Sequence, residues 1–99
     1  WIAFVANGLS EEDALFSARS QASSNVSIFA YASKIAAWAE KPSWSAVATL
    51  DRTIAPALQR WMSRRAGSTV VEINSGHLLP MTSPTEVADV IRQAADALN

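Results

Sequence analysis

The second half of the chain alternates two β-type runs with two helical patterns, and this order limits the possible folds more than any other feature. Residues 44–50 form a short apolar run that predicts a buried strand, and the β-branched residues of 69–74 predict a second strand. A helix is predicted over 56–66, with Pro in its first turn and Gly67 at the position of a left-handed C-cap. The order β-α-β predicts two parallel strands joined by a right-handed crossover, and therefore an α/β fold.

A last helix is predicted from Ser83 to Leu98. Ser83-Pro84-Thr85-Glu86 forms a capping box with Pro at the first helical position. Apolar residues follow at helical spacing: Val87, Val90, Ile91, Ala94, Ala95 and Leu98. Two parallel strands do not make a stable sheet, so we expect further strands from outside the chain, with Trp1–Val5 as the one internal candidate.

The sequence pattern of the first 41 residues differs from that of residues 42–99, and Pro42 marks the predicted boundary. Ser10 is a candidate N-cap for a helix over 10–22, since three carboxylates follow it. The Ala-rich stretch 26–40 is predicted to be helical on propensity alone. The chain begins with Trp1 rather than Met, which suggests a piece of something longer.

Composition excludes several classes of protein. The 99 residues carry a net charge of −1 and no Cys, so disulfides, thiolate zinc sites and a cysteine nucleophile are excluded. The sequence has no basic patch, so nucleic-acid binding is not expected, and no apolar run is long enough to span a membrane. With one His and no Cys, no metal site is expected. Three tryptophans are expected to pack in the core: Trp38, Trp44 and Trp61.

Asp51 and His77 follow the two predicted strands at the point where each ends. Parallel neighbours place both residues at one edge of the sheet, which is where open α/β sheets carry their sites. An Asp beside one imidazole nitrogen would fix the tautomer and leave the other nitrogen free to accept a proton from a nucleophile. The structural alternatives are a turn histidine, and an Asp that caps Thr53 or pairs with Arg52.

The surrounding residues resemble the C-terminal part of α/β-hydrolase-fold esterases over about residues 41–98. The motifs that carry the resemblance are Lys41-Pro42-Ser43-Trp44, Asp51 to Pro56, Gln59-Arg60, Arg65 to Glu72, Gly76-His77, Ser83-Pro84 and Val87-Ala88. The pattern is most similar to the branch of bacterial small-ester hydrolases, plant methyl-ester hydrolases and hydroxynitrile lyases. The resemblance implies an α/β fold whose β-α-β-α portion is residues 42–99, preceded by residues 1–41 as the helical end of a cap.

In the family pattern, Asp51 matches the triad acid and His77 the general base, with a small carboxylic ester as substrate and no cofactor. The chain departs from the pattern because none of its three Gly residues forms G-x-S-x-G, and no second His marks an oxyanion segment. We therefore expect the serine to lie outside the chain and the 99 residues alone to be inactive. Ser75 is a poor substitute, since it is too near His77 in sequence.

The expected partner is therefore the N-terminal part of the hydrolase, which would supply the nucleophile and oxyanion hole, or a second copy of the chain. The rival hypothesis is an inactive hydrolase relic that pairs its open sheet edge with another copy or another protein. Neither nucleic acid nor a membrane is expected as a partner. A cytoplasmic location is expected, although no motif assigns one.

Overall fold

The computed structural model describes residues 1–98, and its centre is a two-stranded parallel sheet with helices packed against it. In chain order the elements are α1 (Glu11–Ser20), β1 (Trp44–Ala48), α2 (Pro56–Ala66), β2 (Thr69–Ile73), α3 (Leu79–Thr82) and α4 (Pro84–Asp96). The predicted order of strand, helix, strand and helix is confirmed. The four-residue helix α3, between β2 and the last helix, was not predicted.

The two strands pair in parallel, with Trp44 opposite Thr69 and Ala48 opposite Ile73. The ladder continues one step beyond β1, since the Thr49 N–H donates to the Ile73 carbonyl at 2.9 Å. Both strands therefore end at the same edge, as parallel pairing requires. The buried apolar residues include two on β1, one on β2 and one on α4: Val47, Ala48, Ile73 and Val90.

Helix α2 begins and ends as its sequence predicts. Pro56 lies in the first turn, and Gly67 follows the helix with φ 67°, so the left-handed C-cap is confirmed. The Arg60 guanidinium donates to both carboxylate oxygens of Glu72 on β2, at 2.7 and 2.8 Å. This bidentate pair fastens α2 to β2 at the surface.

Helix α1 is shorter than predicted. The Ser10 hydroxyl accepts a hydrogen bond from the Asp13 N–H at 3.1 Å, which confirms the N-cap. The helix ends at Ser20, whose hydroxyl donates back to the Phe16 carbonyl at 2.9 Å. Such bonds from Ser compete with the helical ladder, which accounts for an end two residues before Ala22.

The predicted helix over 26–40 is wrong. The segment contains only two short 3-10 helices, Val26–Phe29 and Ala37–Ala39, and residues 21–42 are all exposed. Phe29 is 84% exposed and Ile35 is 81% exposed. A helix of ordinary propensity needs an apolar face to pack against a neighbour, and these side chains have none among the described residues.

Two of the three tryptophans expected in the core are on the surface. Trp44 is half-buried, but Trp38 is 41% exposed and Trp61 is 53% exposed. The Arg65 guanidinium lies over both of these rings, 5.2 Å from the Trp38 centroid and 6.0 Å from the Trp61 centroid. The contact of Arg65 with Trp38 thus joins the segment before β1 to α2, whereas the contact with Trp61 lies within α2.

Two local predictions at the chain's ends also differ from the structure. Residues 1–5 form a turn, in which the Val5 N–H donates to the Trp1 carbonyl at 2.8 Å, and not a strand. Ser83 precedes α4, but its side chain makes no capping hydrogen bond and the predicted capping box is wrong. Instead, the Ser83 carbonyl accepts from the Val87 N–H at 3.1 Å.

The described chain exposes a large surface for its size. Its accessible area is 7295 Å². A compact monomer of this mass is expected to expose ~5,500 Å². The edge of β1 opposite β2 has no strand beside it among residues 1–98. No helix in this part of the chain is both long and apolar enough to cross a membrane.

Candidate active site

The structure brings the two predicted site residues into contact. Asp51 lies in the turn that follows β1, and His77 lies four residues after the end of β2. The Asp51 Oδ2 and His77 Nδ1 atoms are 2.9 Å apart. The Asp51 side chain is only 3% exposed, whereas that of His77 is 27% exposed. The pair therefore has a sheltered acid and an imidazole that solvent reaches.

The turn after β1 fixes the Asp51 carboxylate. Its Oδ1 accepts from the Thr53 N–H at 2.7 Å and from the Ile54 N–H at 3.0 Å. The interpretation of Asp51 as a cap for Thr53 is therefore confirmed, and it holds together with the His77 contact rather than against it. The alternative in which Asp51 pairs with Arg52 is not observed. The hydrogen bonds of the carboxylate are made with Thr53, Gln59 and His77 instead.

The environment favours the ionised form of Asp51. Burial alone would raise the pKa of this carboxyl. The hydrogen bond from His77, the N–H groups of Ile54 and Thr53 and the charge of His77 lower it more, so the pKa lies below its ordinary value of 3.8. Asp51 is thus a carboxylate at neutral pH, as the acid that orients a histidine must be.

Gln59 is a site residue to which sequence reasoning assigned no role. From α2, its Nε2 donates to Asp51 Oδ2 at 2.8 Å and its Oε1 accepts from the Ala48 N–H at 3.0 Å. Two signals were available: Gln59 lies on the helix that directly follows the Asp51 turn, and Gln59-Arg60 is one of the motifs that carry the resemblance. Its side chain contacts both the carboxylate and the sheet.

Asn7 is a second residue that the sequence did not reveal. Its Nδ2 donates to the Leu50 carbonyl at 2.9 Å, and its Oδ1 accepts from the His77 N–H at 3.5 Å. One side chain from the N-terminal segment thus touches both loops of the pair. Separations of 43 and 70 residues leave no local pattern that could have predicted this contact.

The hydroxyl of Ser75 is already engaged. Ser75 is 5% exposed, and its Oγ shares a short hydrogen bond with the Thr82 hydroxyl. The Ser75 carbonyl also accepts from the Leu50 N–H at 3.0 Å. These contacts make Ser75 part of the scaffold that joins the two loops.

A cleft of about 410 Å³ lies beside the pair, and both Asp51 and His77 line it. Its apolar lining residues include Trp44, Ala48, Met62 and Leu79. Of the apolar residues after His77, Leu79 lines this cleft, while Met81 is 51% exposed. Among the described residues, no group of three or more His, Asp or Glu side chains could hold a metal ion.

A model of the alpha/beta hydrolase family matches residues 1–90, so the chain belongs to this family. The small parallel sheet with its flanking helices is a partial version of an α/β fold. The match covers the N-terminal 41 residues and the β-α-β-α region as far as residue 90, within α4. Comparison with curated proteins and with solved structures gave no match.

Proposed function

We propose that this chain is the C-terminal part of a hydrolase acting on small carboxylic esters, and that it contributes Asp51 and His77 to a Ser-His-Asp triad. The observation that carries the proposal is the 2.9 Å contact between Asp51 Oδ2 and His77 Nδ1, with the acid buried and the imidazole accessible. The resemblance of residues 41–98 to the end of α/β-hydrolase esterases supports the placement of both residues.

In the proposed mechanism, each residue has one task. Asp51 accepts a hydrogen bond from the Nδ1–H of His77, which keeps that proton on Nδ1 and leaves Nε2 unprotonated. His77 Nε2 takes the proton of the serine hydroxyl as that oxygen attacks the ester carbonyl. His77 then gives this proton to the leaving alcohol. In the second half of the reaction, His77 takes a proton from water as the water attacks the acyl-enzyme, and gives it to the serine oxygen as the acid is released. No cofactor takes part.

The nucleophile is proposed to come from outside these 99 residues. The sequence contains no G-x-S-x-G and therefore does not form the strand-turn-helix motif that carries the serine in this family. The surface supports such a partner. The exposed area exceeds that of a compact monomer by ~1,800 Å², which is more than the ~800 Å² that each partner buries in a standard interface.

The rival proposal is an inactive relic of a hydrolase that binds a second copy or another protein through the same surface. The open edge of β1 and the exposed side chains of residues 26–35 favour it, because exposed strand edges and apolar patches associate. Both proposals predict association, so oligomeric state alone does not separate them. The presence of a serine nucleophile in the assembly does.

The experiment is to express the complete coding region that contains these residues and to measure hydrolysis of p-nitrophenyl acetate. We expect turnover from the complete protein and none from residues 1–99 alone. Asp51→Asn should reduce kcat by about 10⁴-fold, since the histidine then adopts the wrong tautomer. A coding region without G-x-S-x-G, or a complete protein without turnover, would support the relic instead. Turnover that His77→Ala leaves intact would contradict the role proposed for His77.

A further inference from the structure

Gln59 joins three parts of the site through one amide group. Its Oε1 accepts from the Ala48 N–H on β1 at 3.0 Å. Its Nε2 donates to Asp51 Oδ2 and to the Ile54 carbonyl, both at 2.8 Å. The end of the strand, the turn after it and the carboxylate are therefore connected by the same half-buried side chain.

The orientation of this amide is determined by its partners. With the amide flipped, its NH₂ group would face the Ala48 N–H, donor against donor. Its oxygen would then face the Asp51 carboxylate and the Ile54 carbonyl, acceptor against acceptors. Because the observed orientation satisfies every contact and the flipped one satisfies none of them, Gln59 presents its NH₂ group, a hydrogen-bond donor, to Asp51.

The contact with Ala48 anchors Gln59 to the sheet. The Thr49 N–H donates to the Ile73 carbonyl of β2. Because successive N–H groups along a strand point to opposite sides, the Ala48 N–H points to the open edge of β1. Gln59 takes the place there that a neighbouring strand's carbonyl would occupy. The donor that faces Asp51 is thus held by the backbone of β1 as well as by α2.

We infer that Gln59 is a positioning residue that holds the Asp51 carboxylate in the orientation at which Oδ2 meets His77 Nδ1. The Thr53 and Ile54 N–H groups hold Oδ1, and Gln59 holds Oδ2. With the carboxylate fixed, neutral His77 carries its proton on Nδ1 and leaves Nε2 free. The inference rests on the proposed function, in which this tautomer is the reactive one.

The test is the tautomer of neutral His77, measured from the ¹⁵N shifts of its ring in the complete protein that contains these residues. Gln59→Glu is nearly isosteric and keeps an acceptor for Ala48, but it replaces the donor to Asp51 with a second carboxylate oxygen. Gln59→Met keeps the size of the side chain and removes both functions. Gln93→Glu, at an exposed position of α4 that makes none of the hydrogen bonds to Asp51 described above, is the same chemical change and serves as the matched control.

In the wild-type protein and in Gln93→Glu, we expect the Nδ1–H form to predominate. In Gln59→Glu the ratio of Nδ1–H to Nε2–H should fall about tenfold, the effect of losing one hydrogen bond to a charged group. Gln59→Met should change the ratio in the same direction and by less. A purely structural role would alter stability and leave the ratio unchanged.

Asp51→Asn separates the failure of this inference from the failure of the proposed function. If Asp51→Asn changes the tautomer ratio and both Gln59 variants leave it at the wild-type value, Gln59 does not position the acid, and the pair itself stands. If Asp51→Asn also has no effect, the pair is not a functional unit and the proposed function fails too. Loss of a folded amide spectrum in both Gln59 variants would make Gln59 a residue of the fold and would overturn the inference.

Discussion

The backbone of Gly76 lies directly against Asn7. A Cβ atom at position 76 would overlap the Asn7 carbonyl oxygen and would stand 2.7 Å from Asn7 Nδ2. Gly76 is buried and immediately precedes His77. The N-terminal segment therefore packs directly against the loop that carries the imidazole. Only glycine allows the approach without a shift of the backbone.

Gly76→Ala should therefore reduce the free energy of unfolding by about 1–3 kcal/mol, since the added methyl group has no room. Urea denaturation followed by circular dichroism measures the change. Gly67→Asn is the control, because position 67 has open space around it and Asn tolerates the left-handed backbone found there. Equal stability of Gly76→Ala and the wild type would show that the N-terminal segment is not packed as described.

Asn7→Asp tests the side chain that touches both loops. The change replaces the donor to the Leu50 carbonyl with an oxygen, so two acceptors face each other. Because this hydrogen bond is exposed, we expect a loss of about 0.5–1.5 kcal/mol in the free energy of unfolding. Asn25→Asp is the matched control, since Asn25 accepts from the Ser27 N–H and Asp performs that capping task equally well. Similar losses in the two variants would contradict the role of Asn7.

Both strands, the helices α2 and α4, and the site residues Asp51 and His77 after the strands were predicted from the sequence. These features depend on local patterns. Pro56, Gly67 and the β-branched run of β2 each specify an element through a few neighbouring positions. The contacts of Asn7 with Leu50 and His77 depend on how distant segments meet, and no spacing encodes them. The helix predicted over 26–40 failed for the related reason that propensity without a packing partner does not stabilise a helix.

Acid should weaken the fold through Asp51. Its folded-state pKa is below the ordinary 3.8, so its contribution is complete above 3.8 and is lost as the pH falls through the lower folded-state value. The wild type should therefore lose stability in this range more steeply than Asp51→Asn does. Thermal unfolding between pH 6 and pH 2 gives the two curves, and parallel curves would contradict the assignment.

Glu72→Gln is the control for that experiment. The hydrogen bond from Arg60 lowers the pKa of Glu72 as well, but this pair lies at the surface, where water and salt screen it. We expect its curve to follow the wild-type curve closely. A larger effect from Glu72 than from Asp51 would place the acid-sensitive contact at the surface.

The segment between α1 and β1 should be the first part of the chain that trypsin cleaves. Lys34 lies in it, residues 21–42 are all exposed, and only two single-turn 3-10 helices order it. We expect the first cut after Lys34, before any cut after Arg60 or Arg64 in α2, as identified by mass spectrometry of timed digests. Arg65→Gln, which removes the contact with Trp38, should speed this cut. Initial cleavage within α2 would contradict the description.

The most direct test of the central proposal is to label the complete protein with a fluorophosphonate, which reacts with serines activated by a histidine, and to locate the modified residue by peptide mass spectrometry. The account predicts one labelled serine outside these 99 residues, and loss of that labelling in His77→Ala. Labelling of Ser75, or labelling that His77→Ala leaves unchanged, would contradict it.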